Sequence, residues 1–140
     1  MQRDSRSQLP TIQQYYIEIL EGKIDLIPVL KKYCIAEDFS EAISELSTLI
    51  DLSQLAALLL WLEDSMETYR LEGFTLLKDP EFYEPLTIAI HIGDCDLEEW
   101  ETIVKTIKQK LIEEGFIDLA GRVTIVCIDL FRPRERRQIS

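Results

Sequence analysis

Cysteine, histidine and glycine are scarce in this chain of 140 residues, which has three cysteines, one histidine and five glycines. Cys34, Cys95 and Cys127 are odd in number and form no CxxC pair, so neither a disulfide framework nor a zinc knuckle is indicated. Reduced thiols in a cytoplasmic protein are the simplest interpretation.

Signatures of common enzymes and of membrane spans are also lacking. The sequence contains no GxGxxG or GxxxxGKS/T phosphate loop and no GxSxG nucleophile elbow. Its longest apolar run, Leu55–Leu62, has eight residues, whereas a membrane helix needs roughly 20. The polar start MQRDSRSQLP lacks the apolar core of a secretory signal. We therefore expect no association with a membrane.

Positive charge is concentrated at the C-terminal end. The net charge of the chain is −11. Residues 132–137, RPRERR, carry a local charge of +3 and residues 1–10 carry +1, so residues 11–131 carry a net charge of −15. An acidic body repels phosphate backbones, and nucleic-acid contact is expected only through the tail. The arginines concerned are Arg132, Arg134, Arg136 and Arg137. Alternatively, the tail binds the acidic body of its own chain or of a neighbour.

Apolar residues at helical spacing predict about four helices over residues 11–71. Asp38 and Asp51, each followed three residues later by Glu or Gln, match acidic capping boxes of the third and fourth helices. The fourth, about Leu52–Leu71, is apolar nearly all round in its first half, which is typical of a central helix or of a subunit interface. The predicted interface residues are Leu58, Trp61 and Leu62.

The pattern changes after Gly73. LTIAIHI (86–92) and RVTIVCIDLF (122–131) are β-branched and apolar and predict strands. Between them, residues 96–114 predict an amphipathic helix that Gly115 ends. About eighteen helical residues span roughly 27 Å, close to the ~23 Å of a seven-residue strand. The helix thus returns the chain to the start of the first strand, and the two strands should be parallel.

The predicted fold is α+β, or a small α/β, in which about four N-terminal helices pack on a C-terminal β-α-β unit with a small, mainly parallel sheet. Two strands alone make a weak sheet, so a short strand at Phe74–Leu77 or a strand from a second copy must complete it. A single domain is expected over 11–131, with a helical part, 11–72, and a β-α-β part, 73–131. The flanking segments are a disordered arm, 1–10, and a basic flexible tail, 132–140.

Acidic residues gather at the carboxyl ends of the two predicted strands, where ligands of β-α-β units bind. His91, Asp94, Asp96 and Asp129 could hold Mg²⁺ or Mn²⁺ if they converge. Each also has a role that needs no ligand. Asp96 is an N-cap with Glu99 as its partner, Asp94 a turn residue, Asp129 a solvent-facing strand end, and His91 a structural imidazole.

The cysteines offer a second, competing chemistry at this edge. Cys95 precedes a helix N-terminus, where thiolates are stabilised, and His91 is a candidate base four residues before it. The flanking aspartates oppose that activation. Cys127 faces an apolar strand surface and is expected to be an inert core residue.

The leading hypothesis is a cytoplasmic interaction protein or assembly subunit that self-associates and has neither catalytic activity nor a cofactor. It depends on the apolar helix at 55–62, the undersized sheet and the missing catalytic motifs. One alternative is a small Mg²⁺- or Mn²⁺-dependent enzyme that acts on a phosphate ester. Another is a nucleic-acid contact made through the arginine tail.

Overall fold

The structure is a computed structural model that describes residues 10–65, 69–78 and 86–127. Four helices come first, followed by two strands, two helices and a third strand, so an α+β fold is confirmed in its broad form. The elements are α1 (Ile12–Leu20), α2 (Leu26–Tyr33), α3 (Phe39–Ser47), α4 (Leu52–Asp64), β1 (Leu71–Lys78), β2 (Leu86–Ile92), α5 (Leu97–Glu113), α6 (Ile117–Arg122) and β3 (Val123–Cys127). The predicted arm, except Pro10, and the predicted tail lie outside the described residues.

Side-chain caps explain where several helices begin. Asp38 accepts a hydrogen bond from the backbone N–H of Glu41, and Asp51 accepts one from that of Ser53, at 3.1 and 2.8 Å. Asp38 and Asp51 are thus the N-caps that the sequence predicts. At the start of α1, Thr11 and Gln14 form a reciprocal capping box, which was not predicted from the sequence.

The sheet has three strands in the order β1-β2-β3. β2 and β3 are parallel, with Ile88 opposite Val123 and Ile92 opposite Cys127, as the length of the intervening helix predicts. β1 is antiparallel to β2. Of the two pairings between the described strands, one is parallel and the other is antiparallel, so the prediction of a mainly parallel sheet is wrong for these strands. An isolated parallel bridge also joins Cys34 to Phe74.

The end of the fourth helix differs from the prediction. α4 ends at Asp64 rather than Leu71, and Leu71 instead begins β1, which extends beyond the predicted strand Phe74–Leu77 in both directions. Gly73 lies inside β1, next to an irregularity in the pairing with β2. Here the backbone hydrogen bonds to β2, which extend along the whole of that strand, outweigh the local helix propensity. The short helix α6 was also not predicted.

The hydrophobic core lies on one face of the sheet. Its buried strand residues share that face and pack with residues from all six helices; they include Phe74, Ile88, Ile90, Ile92, Val123 and Ile125. By register and alternation, a second set of side chains lies on the opposite face, which we call the outer face. It consists of Thr75, Leu77, Thr87, Ala89, His91, Thr124 and Val126.

No single helix among the described residues is long and apolar enough to cross a membrane. Only α3 and α4 taken together, bent by 114°, reach the required length and composition.

Candidate functional site

The carboxyl ends of β2 and β3 meet the start of α5 at one edge of the sheet. The chain leaves β2 at Ile92, and the N–H of Gly93 donates a 2.7 Å hydrogen bond to the carbonyl of Arg70. A Cβ at Gly93 would stand 2.7 Å from that of Arg70, so this close approach requires glycine. Four residues then connect β2 to α5. Because β3 ends beside Ile92, Cys127 lies next to this loop.

Cys95 and Cys127 are brought together at this edge. Their sulfur atoms are in direct contact, in position for a disulfide between them, with the Cα atoms 6.4 Å apart. Cys127 is completely buried, whereas Cys95 is half-buried at the margin of the core. The expectation that Cys95 and Cys127 are unpaired is therefore wrong, whereas reduced thiols and an inert Cys127 stay predictions. The parallel pairing of β2 with β3 places the residues that follow one strand next to the end of the other, and this made the contact predictable.

Asp96 has the capping role that the sequence predicts. Its Oδ1 accepts a 2.7 Å hydrogen bond from the N–H of Glu99, and its own N–H donates to Oε1 of Glu99 at 3.1 Å. The indole N–H of Trp100, one turn into α5, donates to the carbonyl of Ile125 at 2.8 Å. These bonds attach the start of α5 to β3 and hold the loop that carries Cys95.

We expect Asp96→Ala to lower the free energy of unfolding by about 1 kcal/mol, because it removes the N-cap of α5. Urea denaturation measures the loss. Glu101→Ala is the matched control: it removes an exposed carboxylate from the same helix and should change stability by less than about 0.5 kcal/mol. Equal losses for the two variants would contradict the capping role.

The predicted metal residues are only partly within the described structure. Asp94 and Asp96 are exposed in the loop after β2, and Asp129 lies outside the described residues. Over the described ranges, no three His, Cys, Asp or Glu side chains are grouped so that they could hold a metal ion. The Mg²⁺ or Mn²⁺ site therefore stays a prediction that depends on Asp129.

His91 lies on the outer face, next to Thr75. Its Nε2 and the hydroxyl of Thr75 are hydrogen-bonded across the two strands at 2.5 Å. Burial lowers the pKa of His91, while the negative charge of Glu72 acts in the opposite direction, so the neutral imidazole is favoured. Cys95 packs against the core on the other side of the sheet. The sheet thus separates the two members of the predicted cysteine–histidine pair.

The third cysteine has a different environment. Cys34 follows α2 and lines a groove of about 340 Å³ between β1 and the start of α3. Acidic residues form much of the groove wall: Glu37, Asp38, Glu41 and Glu45. Burial raises the pKa of the Cys34 thiol, which keeps it protonated and weakly nucleophilic.

The predicted interface on α4 is largely internal. Leu58 and Leu62 are 0% exposed and belong to the chain's own core, so in this fold they present no surface to a second chain. Trp61 is half-buried and lies 6.4 Å from the ring of Tyr69, measured between centroids. The four arginines of the predicted nucleic-acid contact lie outside the described residues.

The edge at Cys95 and Cys127 is thus the place where the described structure brings chemically active side chains together, and the outer face is a second surface of interest. Comparisons with protein-family models, with curated proteins and with solved structures give no match to this chain.

Proposed function

We propose that this chain is a non-catalytic interaction protein that associates with a second copy of itself through the outer face of its sheet. The observation that carries the proposal is the scarcity of charged side chains on that face: among its described side chains the nearest charge is that of Glu72, at the irregular start of β1 beside His91. The chain has 26 acidic and 15 basic residues, yet the seven described residues that define the outer face are threonine, alanine, valine, leucine and one histidine. Repulsion between two acidic copies is weakest where such faces meet.

The shape of the outer face also suits contact with another sheet. Ala89 in the central strand is 2% exposed and lies between Thr75 and Thr124 in the register. Leu77 is 49% exposed, and Thr124 is also exposed. β-branched and small side chains form a flat surface of the kind that packs face to face in layered sheets.

The area of this face limits the strength of the contact. Three strands about 4.8 Å apart and roughly 23 Å long cover about 300 Å². A stable interface buries about 800 Å² from each partner. The outer face alone therefore supports weak association, and a second contact must strengthen it. The basic tail, at +3, and the acidic body of the other copy, at −15, have the complementary charges for that contact.

Thr124→Asp tests the proposal directly. It places a carboxylate on the outer face at a position exposed in the single chain, and we expect self-association at least about tenfold weaker, because each interface would then bury uncompensated charge. Sedimentation equilibrium over a concentration series measures the dissociation constant. Raising the salt concentration should weaken the wild-type association, since the tail contact is ionic.

Thr102→Asp is the matched control. It makes the same change at an exposed position on α5 and should leave the dissociation constant unchanged. Thermal melting of each single chain shows whether both variants remain folded. Association of Thr124→Asp equal to that of the wild type would exclude the outer face, and a wild type that is monomeric at every concentration in low salt would refute self-association altogether.

A further inference from the structure

We propose that Cys95 and Cys127 are a reversible dithiol–disulfide site that exchanges with low-molecular-weight disulfides such as oxidised glutathione. Cys95 is the thiol that reacts with the incoming disulfide, and Cys127 is the thiol that then closes the internal bond. The 6.4 Å between their Cα atoms lies within the range that a disulfide spans without movement of the backbone.

The different exposure of the two sulfurs sets this order. Exchange proceeds by attack of a thiolate on a disulfide, so the first cysteine must be reached from solvent. Cys95 is half-buried in a loop, whereas Cys127 is 0% exposed at the end of β3. Only Cys95 of this pair can therefore meet a solvent-borne disulfide.

The start of α5 acts on the reactivity of Cys95. Cys95 directly precedes the N-cap Asp96 of this helix of 17 residues, whose positive end favours a thiolate. The adjacent carboxylates of Asp94 and Asp96 oppose this effect. We expect exchange at Cys95 at a rate closer to that of an ordinary accessible thiol than to that of a strongly activated one.

Backbone carbonyls surround the sulfur of Cys127. Its Sγ lies 3.2 Å from the carbonyl oxygen of Gly93 and 3.3 Å from that of Cys95. In the reduced form the thiol of Cys127 can donate its proton to either acceptor, which stabilises the neutral thiol and keeps the sulfur beside Cys95. These contacts suit a thiol that reacts only in the second step, after Cys95 has formed a mixed disulfide with glutathione.

The reaction balances with one molecule of oxidised glutathione. The thiolate of Cys95 attacks one sulfur of glutathione disulfide, the S–S bond of glutathione breaks, and the first glutathione leaves as a thiolate that takes up a proton. Cys127 then gives its proton to solvent and attacks the sulfur of Cys95, and the second glutathione leaves in the same way. The protein is oxidised by two electrons, and the glutathione disulfide is reduced to two thiols.

The bond links two parts of the fold that are 32 residues apart in sequence. It ties the loop between β2 and α5 to the last described residue of β3. Closing a loop of this length restricts the unfolded chain, and the oxidised protein should melt on the order of 10 °C above the reduced one.

Intact mass measurement of the full chain tests the proposal, with Cys34→Ser as the background so that Cys34 takes no part. After reduction and treatment with oxidised glutathione, the protein should lose the mass of two hydrogen atoms, and peptide mapping should find Cys95 linked to Cys127. When Cys127→Ser is combined with the Cys34→Ser background, the same treatment should leave one glutathionyl group on Cys95. When Cys95→Ser is combined with the same background, Cys127 should stay unmodified in the folded protein.

Three results would overturn the proposal. One is the failure of the internal bond to form, and another is equal melting temperatures for the oxidised and reduced forms. The third is modification of Cys127 in the Cys95→Ser variant as fast as that of Cys95 in the Cys127→Ser variant. If Cys127→Ser does not fold, acid-quenched early time points of the background protein give the same answer, because the first mixed disulfide must then be found on Cys95.

Discussion

Gly73→Ala is expected to lower the free energy of unfolding by about 3 kcal/mol, since it combines backbone strain with a steric clash. Gly73 has a φ of +150°, a conformation that side-chain-bearing residues rarely adopt. A Cβ there would lie 2.7 Å from the carbonyl oxygen of Tyr33 and 2.9 Å from Cδ1 of Ile35. The carbonyl belongs to the last residue of α2 and cannot move without shifting that helix. Chemical denaturation measures the loss.

Gly121→Ala is the control for this substitution. Gly121 lies in α6, and no atom stands within 4 Å of a Cβ built there. Alanine is the better helix former, so this variant should be more stable than the wild type by up to about 1 kcal/mol. If Gly73→Ala were as stable as the wild type, the irregular pairing between β1 and β2 at this position would be wrong.

Leu58→Ala is expected to cost about 3 kcal/mol of folding free energy, because it opens a cavity in the core. Leu58 is 0% exposed on α4, and its neighbours Ala57 and Leu59 are equally buried. Little freedom to close the cavity is therefore expected. Urea denaturation measures the loss, and sedimentation of the folded variant should give the dissociation constant of the wild type.

Leu20→Ala is the matched control for Leu58→Ala. Leu20 is 61% exposed at the end of α1, and its truncation should change stability by less than about 0.5 kcal/mol. A core role and an interface role for Leu58 thus give different results in these two measurements: the first lowers stability, and the second weakens self-association. Weaker self-association with unchanged stability would support the subunit interface that the sequence predicts on α4, and would contradict the burial seen in the structure.

Patterns within one element were the most informative part of the sequence. The amphipathic stripe of α5, the aspartate that caps it and the β-branched run of β2 were each read from neighbouring residues. The parallel pairing of β2 with β3 also followed, because the length of a connecting helix limits where the next strand can start. Such features depend on backbone hydrogen bonds and side-chain periodicity, and these are local properties.

Features that depend on distant partners were missed or misassigned. The segment after Asp64 was predicted as helix, but its end at Leu71 belongs to a strand because it pairs with β2 through backbone hydrogen bonds. Cys95 and Cys127 were predicted to be separate, although the parallel pairing of β2 with β3 brings the loop after one strand next to the end of the other. Leu58 and Leu62 have the composition of either a core or an interface, and no local pattern distinguishes burial by the chain itself from burial by a partner.

The features that were predicted from the sequence thus differ physically from those that were not. The amino-acid order was sufficient for the starts of α3, α4 and α5, for most of the strands and for the β-α-β order, since residues within a few positions of one another stabilise these features. Tertiary packing was needed to pair the two cysteines, to leave one face of the sheet with few charges and outside the core, and to bury α4. Each of these outcomes depends on which surfaces of separate elements come into contact, and the free energy of those contacts is shared by residues far apart in the chain.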